Sequence, residues 1–214
     1  CYLVPLLFFL LMGGIFTSAM PEMKTSLVQS MCTLGVSMAA FVGLPPTLAE
    51  TYGSDVQKVY KTNGVPLYLG VIAICLSAFL HLTVLCTIIL LAAPVLFGAS
   101  LPDNLLLFYV ALSLLILVSV GVGSVIGLAV KSQAKLTMIE QLVFLPSIML
   151  SGILFPVDLL PGFLKTAGGF LPASRGYELM LDRGFRPERL WYFLIAFFAA
   201  VLVCGILLHR RRSK

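Results

Sequence analysis

Six apolar stretches, each long enough or nearly long enough to cross a bilayer, fill most of this 214-residue chain. They lie at about residues 2–20, 27–44, 68–97, 105–130, 136–155 and 191–208. A hydrocarbon core of about 30 Å needs about 20 residues of helix. In that core each backbone N–H and C=O must be satisfied within its own segment, so single apolar runs cross as helices. The sequence therefore predicts an all-α integral membrane protein, one membrane domain over residues 1–214 with six transmembrane helices. Composition agrees: 11% of the residues are charged, where a soluble domain carries about 25%.

The breaks between these stretches carry most of the remaining information. Residues 21–26 make a short polar turn, which forces the second helix to run antiparallel to the first. Gly35, Ala39 and Gly43 recur every four residues, a small-residue stripe that lets helix backbones approach. Pro45-Pro46 predicts an irregular or kinked end to that span. The most polar internal stretch follows at residues 49–66. Ser54 can cap a short helix over residues 54–62, and Asn63-Gly64 can end it. Val56, Val59 and Tyr60 share one face of that helix; Lys58 and Lys61 share another. It reads as an interfacial anchor or as a docking helix for a cytoplasmic protein, with Glu50, Asp55, Lys58 and Lys61 setting the orientation.

An ionisable residue inside a span is a site candidate by default. His81, near the middle of the third span, reads as a packed, hydrogen-bonded side chain or as a substrate contact. Ser119, Gly123 and Gly127 form a second small-residue stripe, on the fourth span. Glu140 and Gln141 enter with the first turn of the fifth. They favour a helix start through its dipole or form the polar mouth of a substrate path. Pro146 predicts a kink. Residues 156–183 are too short and too punctuated for two spans and predict a re-entrant pair of short helices. Gly168-Gly169 would end the first; Ser174 would cap the second and Gly184 end it. Irregular backbone at membrane depth survives only buried in protein or lining a wet cavity, so the pair should sit at one rim of a cavity. Trp191 and Tyr192 mark an interface belt.

Other chemistries have little to work with. The chain has no GxxxxGK[ST], HExxH or GxSxG, and Leu150-Ser151-Gly152 lies inside an apolar span without the rest of an ATP-binding-cassette signature. Five cysteines without CxxC spacing read as small buried hydrophobes. Scarce intramembrane charge and a single broken region argue against an ion-coupled carrier. Arg210-Arg211-Arg212 reads as an anchor on anionic membrane lipids, and no basic and aromatic surface remains to bind nucleic acid. Eight basic residues fall on the side of the termini (Lys58, Lys61, Lys131, Lys135, Arg210, Arg211, Arg212, Lys214) and six on the other (Lys24, Lys165, Arg175, Arg183, Arg186, Arg189). That bias, with the terminal cluster, predicts both termini in the cytoplasm and the re-entrant segment outside, and the expected location is the cell (plasma) membrane. The opening Cys1 leads us to expect a truncated or processed start.

The run LVFLPSIMLSGILFPVDLLPGFLKTAGGFLPASRGYELM, residues 142–180, resembles the C-terminal signature of ABC-2 type transporter permeases. The matching residues are Ser151, Gly152, Phe155, Pro156, Pro161, Leu171 and Pro172. Residues 49–66 resemble that family's loop between spans two and three, departing in Tyr52, where a basic residue is common, and in the ending Asn63-Gly64-Val65-Pro66. The resemblance implies a permease subunit of an ATP-driven exporter, without its own catalytic activity or cofactor. ATP and Mg would be held by a separate ATPase subunit docked on Glu50, Asp55, Val56, Lys58, Val59, Tyr60 and Lys61. A second permease subunit, identical or closely related, would complete the path. The re-entrant segment would be the outer gate, with His81, Glu140 and Gln141 along the path. A drug, lipid, peptide or lipid-linked glycan would suit so greasy a cavity. The alternative is a channel or carrier that works without an ATPase.

Overall fold

The computed structural model describes residues 3–19, 21–53, 62–64, 66–154, 160–181 and 187–212. Among these residues there is no strand. Helix α1 covers Leu3–Ala19 and passes through a 3-10 turn, Pro21–Thr25, into α2. Helix α2 runs from Leu27 to Gly53. It is α-helical over Leu27–Met38, opens into a π turn over Ala39–Gly43, and closes again over Leu44–Gly53. Then follow α3 (Leu67–Phe97), α4 (Leu105–Ala129), α5 (Gln133–Met149), the short α6 (Gly162–Gly168) and α7 (Pro172–Leu181), and α8 (Pro187–Arg212).

Local chemistry accounts for the ends. The Asn104 side chain accepts from the Leu107 N–H at 3.1 Å, capping α4. Helix α3 stops at Gly98, whose φ of 60° needs the left-handed region that glycine enters freely. Pro94 lies within α3, close to its C-terminal end. At 31 residues α3 is about 46 Å long, longer than a hydrocarbon core, so it tilts or projects.

Helix α4 is the hub: α2, α3, α7 and α8 all pack on it. Helix α2 is enclosed, with 78% of its apolar window buried, whereas α8 buries 11% and shows its apolar side chains outward. The core joins Phe41, Leu48 and Tyr52 of α2 to Leu85 and Ile89 of α3 and to Phe108, Leu112 and Leu115 of α4. Tyr52 donates its hydroxyl to the Leu67 carbonyl at 2.5 Å, tying the end of α2 to the start of α3. Cys32 and Cys86 pack face to face as reduced thiols.

Three sequence expectations are corrected. Pro45-Pro46 does not end the second span; the helix continues to Gly53. The wider π turn just before the prolines absorbs the missing N–H groups and the ring clash that would break a regular helix. The fifth helix begins at Gln133, not residue 136, and ends at Met149, not 155. Ser174 is not a cap: α7 starts at Pro172, whose fixed φ and absent N–H suit the first helical position. Among the described residues, four helices are long and apolar enough to cross a membrane: Leu27–Gly53, Leu67–Phe97, Leu105–Ala129 and Leu190–Arg210. Leu3–Ser18 is apolar but shorter, and α5 has 17 residues.

Candidate functional site

The end of α5 and the pair α6–α7 form one hydrogen-bonded unit. After Met149 the chain turns at Gly152, whose φ of 82° lies in the left-handed region. The Ser151 hydroxyl donates to the Ile148 carbonyl at 2.8 Å, satisfying it where the helix stops. Gly168, at the end of α6, lies so close to Leu150 that a Cβ would come within 2.7 Å of the Leu150 carbonyl oxygen. The Ser174 hydroxyl reaches the same carbonyl at 3.4 Å. Arg175 donates to the Gly169 carbonyl at 2.7 Å, pairs with Glu178 at 3.7 Å and lies over the Tyr192 ring. Tyr192 in turn donates to the Phe170 carbonyl at 2.7 Å.

Helix α7 is the inserted member of this unit. Pro172, Ala173, Ser174, Gly176, Tyr177, Leu179 and Met180 are buried against α2, α4 and α5. Gly176 permits this, since a Cβ would meet Leu115 of α4 at 2.7 Å. Tyr177 packs with Leu34, Ile148 and Ile153 and accepts a hydrogen bond from Ser30 of α2 at 3.2 Å. The polar groups of this short helix thus end on protein, which is what irregular backbone would need at membrane depth. Ser151, Gly152 and Pro172 are buried in this unit, and Pro161 stands exposed at the start of α6. Phe155 and Pro156 lie outside the described residues.

The second feature is the break in α2. The Leu44 N–H bonds to the Ala39 carbonyl, five residues back. Pro45 and Pro46 carry no N–H, so Phe41 has no backbone donor four or five residues ahead. Helix α4 closes on this weakened stretch. The space a Cβ would take on Gly123 is filled by the Ala40 carbonyl, and one on Gly127 would come 2.7 Å from the Pro45 oxygen. The stripe on the fourth span is thus a backbone-to-backbone seam. The stripe on the second is divided: Gly35 faces Leu85 and Ile89 in ordinary contact, while Gly43 meets nothing.

Helix α5 packs on the other side of the π turn. Ile148 shares a cluster with Leu34 of the antiparallel α2, so Glu140, eight residues earlier, stands level with that turn. It is 2% exposed, with one carboxyl oxygen lacking a protein partner. Gln141 points out to the exposed side. These neighbours in sequence therefore diverge and share no mouth.

His81 is exposed on α3, bonded through Nδ1 to the carbonyl and hydroxyl of Ser77 at 2.6 and 3.2 Å. It lines a groove of about 510 Å³ with Pro5, the π turn and Thr47. A second hollow of about 570 Å³, at the end of the bundle bearing the re-entrant pair, is lined by Thr25, Gln29, Asp103, Phe108 and Met180. Of the docking residues only Glu50 is described; it is exposed near the end of α2. Asp55, Val56, Lys58, Val59, Tyr60 and Lys61 lie outside the described residues.

Among the described residues no group of three or more His, Cys, Asp and Glu side chains could hold a metal. What the arrangement offers is mechanical: an enclosed helix with a central break, bonded at one end to a short buried helix. Sequence reasoning missed the π turn and the Ser30–Tyr177 bond. Pro-Pro inside an apolar run was a signal for the first, while nothing local to Ser30 signals the second.

A family model described as ABC-2 type transporter matches residues 2–185. The matched range includes α1 through α7 and both segments singled out above. Comparison with curated proteins finds no match.

Proposed function

This chain belongs to the ABC-2 type transporter family and is a membrane-embedded permease component, and from that premise we propose that it exports a hydrophobic or amphipathic substrate, driven by ATP hydrolysis on a separate subunit. The observation that carries the reading is the extent of the family match, which covers the polar loop after α2 and the re-entrant pair together. A permease without a nucleotide-binding motif must receive its work through contact with an ATPase. The loop at residues 54–62 is the longest polar stretch between spans and follows directly on α2.

In this reading α2 is the connecting rod. One end leads into the docking loop; the other bonds through Ser30 to Tyr177 of the re-entrant helix. ATP-driven closure of two ATPases displaces the docking loops, and the break at residues 39–46 lets the lower half of α2 move without tearing the upper half from α7. The complete subunit has six crossings, with α1 and α5 as the first and fifth. Both termini are cytoplasmic in the plasma membrane, and two subunits, identical or closely related, enclose the path. Its sparse polar groups suit drugs, lipids, peptides or lipid-linked glycans.

Replacing Val59 and Tyr60 together with Asp should abolish co-purification with the ATPase while leaving the protein in the membrane. Apolar anchors supply most of such an interface's energy. A double variant that still binds the ATPase and transports at the normal rate would show that the work enters elsewhere.

A further inference from the structure

Between α3 and α8, with α4 beneath, lies an apolar groove of about 550 Å³. Its floor is Val120, Gly121 and Ser124 of α4; Cys75 and Cys204 stand on its walls. It extends along α8 from Phe197 to Leu208, about 17 Å at 1.5 Å per residue. That is the depth of one leaflet, about half of a 30 Å hydrocarbon core. Its polar atoms are turned inward. Cys75 and Ser124 bond to each other at 3.2 Å, and the Ser124 hydroxyl donates to the Val120 carbonyl at 2.7 Å. A hydrated or polar molecule would find no partner there.

The end of the groove differs from the rest. Tyr68 and Leu208 line it together, so it closes where α3 begins and α8 ends. Helix α8 continues one turn further, through Arg210-Arg211-Arg212. Arg210 is exposed. An apolar trough one leaflet deep that ends at a run of cations matches one chemistry: an acyl chain with an anionic headgroup.

We propose that this groove is a binding site for an anionic phospholipid, its acyl chain lying between α3 and α8 and its phosphate held by the arginine run at the end of α8. The inference rests on the membrane placement of the permease, not on its ATP-driven cycle. Basic residues close to a membrane surface favour anionic lipid, and the groove converts that general attraction into a located site. A bound chain would fill the space beside Gly205, where a Cβ meets no atom within 4 Å.

The test uses the full chain in nanodiscs of phosphatidylcholine. Phosphatidylglycerol bearing a diazirine in its acyl chain is added as a minor component, and labelled peptides are mapped by mass spectrometry. Labelling should concentrate on residues 68–79 and 197–208, well above that by the same probe on phosphatidylcholine. Gly205→Phe directs a ring from a position whose Cβ meets no atom within 4 Å into the space the chain would occupy and should cut labelling at least about five-fold. Replacing Arg210, Arg211 and Arg212 with Gln should lower the preference for phosphatidylglycerol by roughly ten-fold or more, leaving chain labelling in place. Val201→Trp, which covers the groove from outside, serves if Gly205→Phe does not fold. Labelling spread evenly over α1 and α8, a wild-type preference of one, or labelling indifferent to both fillers would overturn the proposal. So would a second copy seated there, seen as Gly205→Cys disulfide dimers. ATPase co-purification is measured on the same samples, so loss of the lipid site with co-purification intact rejects this inference alone.

Discussion

The seam between α2 and α4 is the place where an added methyl group should do most damage. A Cβ on Gly123 would overlap the Ala40 carbonyl; one on Gly127 would lie 2.7 Å from the Pro45 oxygen, 2.9 Å from its Cα and 3.0 Å from Leu48 Cβ. These are backbone atoms or the root of a side chain, and none can rotate away. Either substitution must therefore push the helices apart by several tenths of an ångström or more. A gap of roughly 0.5–1 Å forfeits a quarter to a half of each dispersion contact across it. Leu44 and Leu48, both buried, lie on this seam. If about a third of their roughly 50 contacts each cross it, at about 0.15 kcal/mol, a quarter loss comes to about 1 kcal/mol. Direct overpacking adds about 1–3 kcal/mol, and the better helix propensity of Ala returns up to about 1 kcal/mol. We expect a net loss of about 2 kcal/mol for Gly123→Ala and about 1 kcal/mol for Gly127→Ala. Gly14→Ala is the control: its Cβ meets nothing within 4 Å, so it should be neutral or stabilise by up to about 1 kcal/mol. Unfolding in mild-detergent micelles titrated with SDS reads all three. If Gly123→Ala unfolds at the same SDS fraction as Gly14→Ala, the helices do not meet as described.

Replacing Pro45 and Pro46 together with Ala restores two N–H groups and lets the π turn relax toward a regular helix. Stability should hold or rise while ATP-driven efflux from vesicles falls, and efflux at the wild-type rate would remove the break from the mechanism. Tyr177→Phe strands the buried Ser30 hydroxyl and should cost about 0.5–1.5 kcal/mol in the same SDS titration. Ser37→Ala and Ser119→Ala, whose buried hydroxyl oxygens lack partners, should cost less than Tyr177→Phe; the reverse order would contradict the bonding described. Cysteines placed at Lys165 and Lys214 should react with impermeant reagents from opposite sides of the membrane, and same-side reaction would rule out the six-crossing topology.

How much of this was legible in the sequence depends on the distance over which each feature is determined. The helices α1, α3 and α4 begin and end within a residue or two of the apolar stretches at 2–20, 68–97 and 105–130, and local caps such as Asn104 and Gly98 set their ends. Gly168-Gly169 closes α6 where the sequence placed it, again for local reasons. Pro45-Pro46 misled, because two prolines in a row are a stop signal only if the preceding turn is a regular α-turn. Here one extra residue per turn over Ala39–Gly43 relieves the clash, and close cover by α4 makes the distortion tolerable. Ser174 misled for a related reason. A serine near a helix start looks like a cap, but Pro172 already begins the helix, which leaves the hydroxyl to bond Leu150 instead.

The candidate site was legible as a list of residues but not as an arrangement. The sequence put Glu140 and Gln141 together because they are adjacent, whereas a helix sends adjacent side chains about 100° apart. One enters the interface with the π turn and the other faces outward. The Ser119, Gly123 and Gly127 stripe announced a close approach without naming the partner. That partner is the stretch of α2 whose hydrogen bonding is interrupted by two consecutive prolines. Gly123 and Gly127 let α4 lie flat against it, and α4 stands at the centre of the fold. The same close contact covers this stretch of α2, where a carbonyl without a donor would be costly if it faced lipid. A break in a membrane helix can therefore persist only where a neighbour is smooth enough to cover it, so the glycines of α4 and the prolines of α2 form a single structural device written in two distant parts of the chain.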